Sequence, residues 1–290
     1  MLSKKFLLLS ALFCLCFSHA MVAADSKTAH AGPTAAQIVE KNVAARGGLQ
    51  AWRAVQAMSW AGNMDAGGGS INRSRRMGQR RPGRGSKMES TDNKDAAMNG
   101  QADKQAQLPF VLEMKRPSKS RVEIQFAGKT AVQVYDGTNG WKVRPYLNRN
   151  DVEPFTAEEL KSEAGKGGLD GPLVDYAAKG TKVELEVVEP VEGHDAYKLK
   201  LTAKNGDVQH VWIDKESFLD VKVEGAPRRM DGRMRTVWIY QRDFRSVQGV
   251  MVPFVLETAV DGYRETHKMV IEKAEVNPKL NDALFAKPGA

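Results

Sequence analysis

Between Leu108 and Lys273 the chain runs as a series of short segments in which apolar and polar residues alternate. Phe110, Leu112 and Met114 alternate with Val111, Glu113 and Lys115. Val122, Ile124 and Phe126 alternate with Arg121, Glu123 and Gln125, and Tyr197, Leu199 and Leu201 with Lys198 and Lys200. Successive side chains on a strand point to opposite faces, so each segment predicts a strand with one apolar and one wet face. The predicted strands cover residues 58–64, 108–115, 119–126, 130–135, 140–146, 182–188, 196–202, 208–213, 218–224, 234–242, 251–260 and 263–275. Turn residues such as Asp136-Gly137, Asn205-Gly206 and Asp261-Gly262 separate them. The expected fold class is mainly β (α+β), a single antiparallel sheet of about 10 to 12 strands.

Helical signals are few. Thr34 is an N-cap for a helix whose stripe is Ile38, Val39 and Val43, stopped by Gly47 and Gly48. A second short helix spans 49–55. Within 156–178, residues 158–163 and 173–178 read as two short helices around a glycine-rich link, 165–171. The tail, with Pro278, Leu284, Phe285 and Pro288, is expected to pack as a short cap.

This leaves a covering problem. Strands about 4.8 Å apart and roughly 17 Å long give an apolar face on the order of 900 Å². Each helix masks a strip only about 10 Å wide. The rest is hidden by the sheet curling on itself or by a ligand, since exposed apolar patches of several hundred Å² mark interaction sites. A curved, incomplete antiparallel barrel with helices across its concave face meets both demands and leaves an apolar cavity. The alternative is a closed barrel filled by its own side chains.

The first residues predict where the protein works. Lys4 and Lys5 precede an apolar run, 6–17, followed by small residues at Ser18, Ala20, Ala23 and Ala24. This reads as a signal peptide, residues 1–24, cleaved after Ala20 or Ala24. The run is shorter than the roughly 20 residues of a spanning helix. Export to the periplasm of a bacterium, as a soluble monomer, is the expectation. Both cysteines, Cys14 and Cys16, fall inside the signal, so no disulfide or cysteine metal site is expected afterwards. Residues 33–290 then form one domain.

Charge adds one local feature. The formal net charge of +8 becomes +6 without Lys4 and Lys5, and residues 66–107 supply most of it, with nine Lys/Arg against four Asp/Glu. That stretch contains Arg73, Arg75, Arg76, Arg80, Arg81 and Arg84 and almost no aliphatic residue, so it predicts a disordered basic insertion between the first two strands. Arginine interleaved with glycine can bind RNA, but the run has no aromatic to stack on bases and export removes that partner. No nucleic acid is expected; an anionic envelope surface is the other possible use of the charge.

Catalytic constellations are absent from the sequence. Gly128, Lys129 and Thr130 look like the end of a phosphate loop, but Glu123 stands where glycine is needed and a strand follows. Ser86 directly follows Gly85, so it makes no nucleophile elbow. His30, His194, His210 and His267 share no metal-ligand spacing. The reading is therefore a binding protein with no cofactor, metal or catalytic residue, and not an enzyme.

Four stretches carry a resemblance: AQIVEKNVAARGGLQAWRAVQAMSWAGNM, FVLEMKRPSKSRVEIQFAGKTAVQVYDGTNGWKVRPY, LDGPLVDYAAKGTKVELEVVEPVEGHDAYKLKL and PKLNDALFAKP. Together they resemble bacterial outer-membrane lipoprotein-sorting, LolA-like proteins over nearly all of the chain after the signal except 66–107. The resemblance implies a periplasmic half-barrel closed by helices, whose cavity takes acyl chains of a lipid or lipoprotein passed from an inner-membrane transporter to an outer-membrane acceptor. A relative with this fold instead senses lipid or misfolded envelope protein. The candidate cavity residues are Trp60, Phe110, Leu112, Met114, Ile124, Phe126, Val134 and Trp141, with Leu160, Leu173, Val174 and Tyr176 on a lid. The rival reading is an envelope sensor or protein-interaction module that carries no lipid.

Overall fold

In a computed structural model, residues 32–65, 106–166 and 168–289 are described. The expected signal peptide and all of the expected insertion except Ala106 and Gln107 lie outside them. Thirteen strands form one antiparallel sheet. They are β1 (Ala57–Asp65), β2 (Gln107–Lys115), β3 (Lys119–Phe126), β4 (Lys129–Tyr135), β5 (Gly140–Arg144), β6 (Arg149–Pro154), β7 (Lys182–Val191), β8 (His194–Thr202), β9 (Val208–Asp214), β10 (Asp220–Met230), β11 (Arg233–Val247), β12 (Val250–Val260) and β13 (His267–Val276).

The strand order is β6-β5-β4-β3-β2-β1-β13-β12-β11-β10-β9-β8-β7. Two meanders, β1 to β6 and β7 to β13, are thus joined where the first strand pairs with the last, Met58 opposite Val276 and Trp60 opposite Ala274. The sheet is an incomplete curved barrel whose free edges are β6 and β7. Residues 155–181 connect those two edges, so this segment has to cross the sheet from one side to the other. It shares the cover of that face with the two N-terminal helices.

Helix α1 (Ala35–Ala45) starts in a capping box: the Thr34 hydroxyl accepts from the Gln37 N–H at 3.3 Å and the Thr34 N–H donates to Gln37 Oε1 at 2.9 Å. It ends at Gly47, whose φ of +110° and the approach of the Gly249 carbonyl, 2.2 Å from where a Cβ would stand, admit no other residue. Helix α2 (Leu49–Ala54) leads straight into β1. Two cores lie beneath these helices. One joins Trp52, Met58, Phe110, Val174, Phe254 and Ile271; the other joins Ile38, Leu173, Leu199, Val211 and Ile213. Buried Asn42 of α1 donates to Asp220 Oδ1 at 2.6 Å and to the Phe218 carbonyl at 2.8 Å, which fixes α1 over β10.

Three sequence expectations need correction. The sheet has thirteen strands rather than 10 to 12 because β6 forms from Arg-Asn-Asp-Val-Glu-Pro, which has no apolar alternation; as an edge strand it needs none. Residues 173–178 make a run of turns and not a helix, since Asp175 sits at φ +53° and interrupts the helical ladder. The insertion ends before Gln107, which pairs with Asp65 as the first residue of β2. Helix α3 (Ala157–Ala164) does form, from a capping box between Thr156 and Glu159.

Candidate functional site

Beneath the C-terminal end of α3 the sheet leaves a cavity of about 120 Å³. Its floor comes from Leu112 and Met114 of β2 and Ser120 and Val122 of β3, and its walls from Gln133, Val134 and Phe155, with Glu163 and Lys166 at the mouth. The pairing explains the floor: Leu112 lies opposite Val122, Met114 opposite Ser120, and Val122 opposite Gln133, so these side chains share one face. Phe155 precedes the N-cap Thr156 and closes the side. Its ring lies over Gly140, where an added Cβ would stand 2.0 Å from Phe155 Cδ2.

The site is amphipathic. Carbon lines the floor, whereas Lys166 Nζ lies 2.5 Å from Glu163 Oε1 and the Ser120 hydroxyl donates to Glu163 Oε2 at 3.4 Å. Glu163 is 14% exposed and Lys166 62%, so the ammonium reaches water while the carboxylate stays tucked against the floor. Near the other end of α3, Lys142 donates to both oxygens of Glu159 at 2.5 and 2.6 Å. Burial by itself would raise the Glu159 carboxyl, but hydrogen bonds from Lys142 and the Thr156 N–H, with the Lys142 charge, hold it below the ordinary glutamate range. Helix α3 has no buried residue. Polar links therefore hold the cavity roof down, with no core under it.

The candidate residues divide by location. Trp60, Phe110, Leu112, Met114 and Ile124 belong to one apolar cluster on the covered face, but only Leu112 and Met114 border the cavity; Phe110 is buried in the core proper. Phe126 has the same facing as Ile124, yet it sits 41% exposed at the strand end, edge-on to Tyr146 at 5.8 Å. Val134 and Trp141 are placed differently from the expectation. They pair with each other and Val134 with Arg121, one residue out of phase with Gln133 and Lys142, so their side chains take the opposite face although Val134 adjoins the cavity. On that outer face Arg121 donates to the Leu284 carbonyl, and the C-terminal turn Asp282–Phe285 packs down. Both phases of β4 are apolar, so alternation there could not decide the facing.

Of the lid candidates, Leu160 is half-buried on α3, while Leu173 and Val174 are 1% and 0% exposed and Tyr176 packs beside Leu173's core. The residues that sequence reasoning missed are Ser120, Val122, Gln133, Phe155, Glu163 and Lys166. Phe155 had a signal: an apolar residue just before the Thr156…Glu159 capping box is the staple position.

No group of three His, Cys, Asp or Glu side chains among the described residues could hold a metal ion. No helix among them is long and apolar enough to cross a membrane.

The fold recurs in solved structures. A LolA superfamily protein from Nitrosomonas europaea matches with a TM-score of 0.51 and 14% identity, over 88% of this chain and 98% of that one. A DUF1329 family protein from Desulfovibrio piger matches with a TM-score of 0.53 and 13% identity, over 87% and 97%. A domain named as an outer membrane lipoprotein-sorting protein, from Vibrio parahaemolyticus, matches with a TM-score of 0.50 and 13% identity, over 86% and 95%. A family model described only as an uncharacterized protein covers residues 175–288. No curated protein matches the chain. The fold is LolA-like.

Proposed function

We propose that this is an exported, periplasmic binding protein, not an enzyme, that holds the acyl chain of a lipid or lipoprotein between the sheet and α3. The observation that carries the reading is the amphipathic cavity under a roof helix with no core. Leu112, Met114, Val122 and Phe155 offer a dry wall to a chain, and Glu163, Lys166 and Ser120 offer a polar mouth to its head group. The LolA-like fold of the neighbours supports the same class.

The size of the cavity states what binding requires. An apolar cavity of about 150 Å³ holds benzene, so 120 Å³ admits only the end of an acyl chain. Helix α3 therefore has to lift to extend the cavity along the sheet. Native mass spectrometry of protein prepared from the periplasm tests the reading directly: an added lipid mass that disappears on delipidation is expected. A clean apo mass, with no mass shift on adding fatty acid or lyso-phospholipid, would refute carriage and leave a sensor or protein-interaction module of this fold as the reading.

A further inference from the structure

The hairpin joining β10 to β11 ends in Ala-Pro-Arg-Arg-Met-Asp-Gly-Arg-Met-Arg, residues 226–235, with four arginines and one carboxylate. The register sets Arg228 opposite Arg235 and Met230 opposite Arg233. Arg228, Arg233 and Arg235 consequently crowd one face with Met230, while Arg229 and Met234 take the other. Like charges directly opposite on a sheet destabilise it, so this arrangement is costly for the protein alone.

Neighbouring groups offset little of that charge. Asp231 accepts from the Tyr263 hydroxyl, and the Arg235 guanidinium lies 5.9 Å above the Tyr263 ring. Asp261, Arg264 and Glu265 of the adjoining β12–β13 loop are exposed, and none forms an ion pair with the hairpin among the described residues. Among the described residues the one bridge is Arg229 to Glu158 of α3 at 3.8 Å, between side chains that are mostly exposed. Arg235 Nε is buried without a hydrogen-bond partner. Met234, at 51% exposure, projects an apolar side chain beside Arg229 on the other face of the same hairpin tip.

We infer that the β10–β11 hairpin tip docks the protein on an anionic phospholipid surface, the guanidiniums engaging phosphates and Met234 entering the interface. Arginine binds phosphate through paired N–H donors, and a basic segment with an apolar side chain is the combination that associates with charged bilayers. The Arg229–Glu158 contact places this surface beside α3, so docking brings the cavity roof to the membrane. The inference stands apart from the contents of the cavity, because it concerns binding to the bilayer.

Co-sedimentation of the full chain with phosphatidylcholine vesicles, with and without phosphatidylglycerol, tests it. Wild type is expected to bind the anionic vesicles only. Each arginine removed should weaken binding about fivefold, so Arg228→Ala with Arg233→Ala should lose about twentyfold or more by the same scale. Met234→Ser should lose affinity that added salt does not already remove. The exposed control pair Lys182→Ala with Lys273→Ala removes the same charge from other strands and should have little effect. Equal loss in the control pair, wild-type binding by the arginine variant, or equal binding to both vesicle types would overturn the inference. So would binding to a polyglutamate peptide without binding to vesicles, which would assign the tip to an acidic protein partner.

Discussion

Leu173 and Val174 are neighbours in the chain and pack into different cores. Leu173 joins Ile38, Leu199 and Ile213, under α1, whereas Val174 joins Trp52, Phe110 and Phe254, under α2. The segment that crosses the sheet is pinned at this point to both halves of it. Of the expected lid, then, only the stretch through α3 is free of the core, and residues 169–176 act as a keystone.

Truncating the keystone should be costly. Leu173→Ala removes a fully buried side chain between elements that cannot easily close the gap, and the loss expected is about 2 to 5 kcal/mol. Leu160→Ala, on α3, should cost well under half as much. Urea unfolding of both variants measures the difference. Hydrogen exchange provides the companion result: amides of residues 173–176 protected like the central strands, those of α3 fast in the apo protein and slowed by fatty acid. Equal protection along 157–176 would mean that α3 is as fixed as the keystone.

The contrast also marks what the sequence made legible. Most strands were readable because polar and apolar residues alternate through Tyr197–Leu201 or Phe110–Met114, where one face meets a core and the other meets water. Strand β6 was not, because an edge strand that buries almost nothing leaves no periodic trace. The facing of Val134 and Trp141 was hidden for the opposite reason. On β4 and β5 the inner face carries Gln133 and Lys142 next to buried Tyr135, and Lys142 finds its partner Glu159 on α3, outside the local pattern. Apolar pattern reports burial, and here both faces are buried. The cavity mouth depends on where α3 settles, which no local pattern of Glu163 or Lys166 contains.

Acid should loosen the roof. The Glu159 carboxyl is held below its ordinary value of 4.5, so its link to Lys142 and to the α3 N-terminus is fully present above that pH. It is lost as the pH falls through the lower value of the folded protein. Uptake of a fluorescent fatty acid is therefore expected to accelerate as the pH drops below about 4.5, the unperturbed carboxylate region. Glu159→Gln should show fast uptake at neutral pH and a flat profile across that window. A wild-type profile that stays level from pH 7 to 3.5 while the protein remains folded would rule out this link as the latch.

Gly140 and Phe155 should be coupled energetically. A methyl at position 140 would overlap the Phe155 ring, and overpacking of this kind costs about 1 to 3 kcal/mol. Gly140→Ala is expected to be destabilised by that amount. In the Phe155→Ala background the same substitution should cost much less, because the ring it strikes is gone. Additive losses in the four-member cycle would show that the glycine serves some other need at the start of β5.

The facing of the strands yields the sharpest test of the cavity. Leu112 borders it from the inner face, and Trp141, three strands away, lies on the outer face with Val134. Leu112→Gln puts an amide into the dry wall and should weaken binding of a fluorescent fatty acid at least tenfold, with a stability loss of about 1 to 3 kcal/mol from burying an unpaired polar group. Trp141→Gln should also reduce stability, since it removes a large ring from the outer packing, but it should leave the affinity of the folded protein unchanged. Stability and affinity are thus separated by two substitutions of the same kind on opposite faces of one sheet. Measuring both on protein shown by circular dichroism to be folded distinguishes the cases: loss of affinity in the Trp141 variant with none in the Leu112 variant would place the ligand outside the cavity beneath α3.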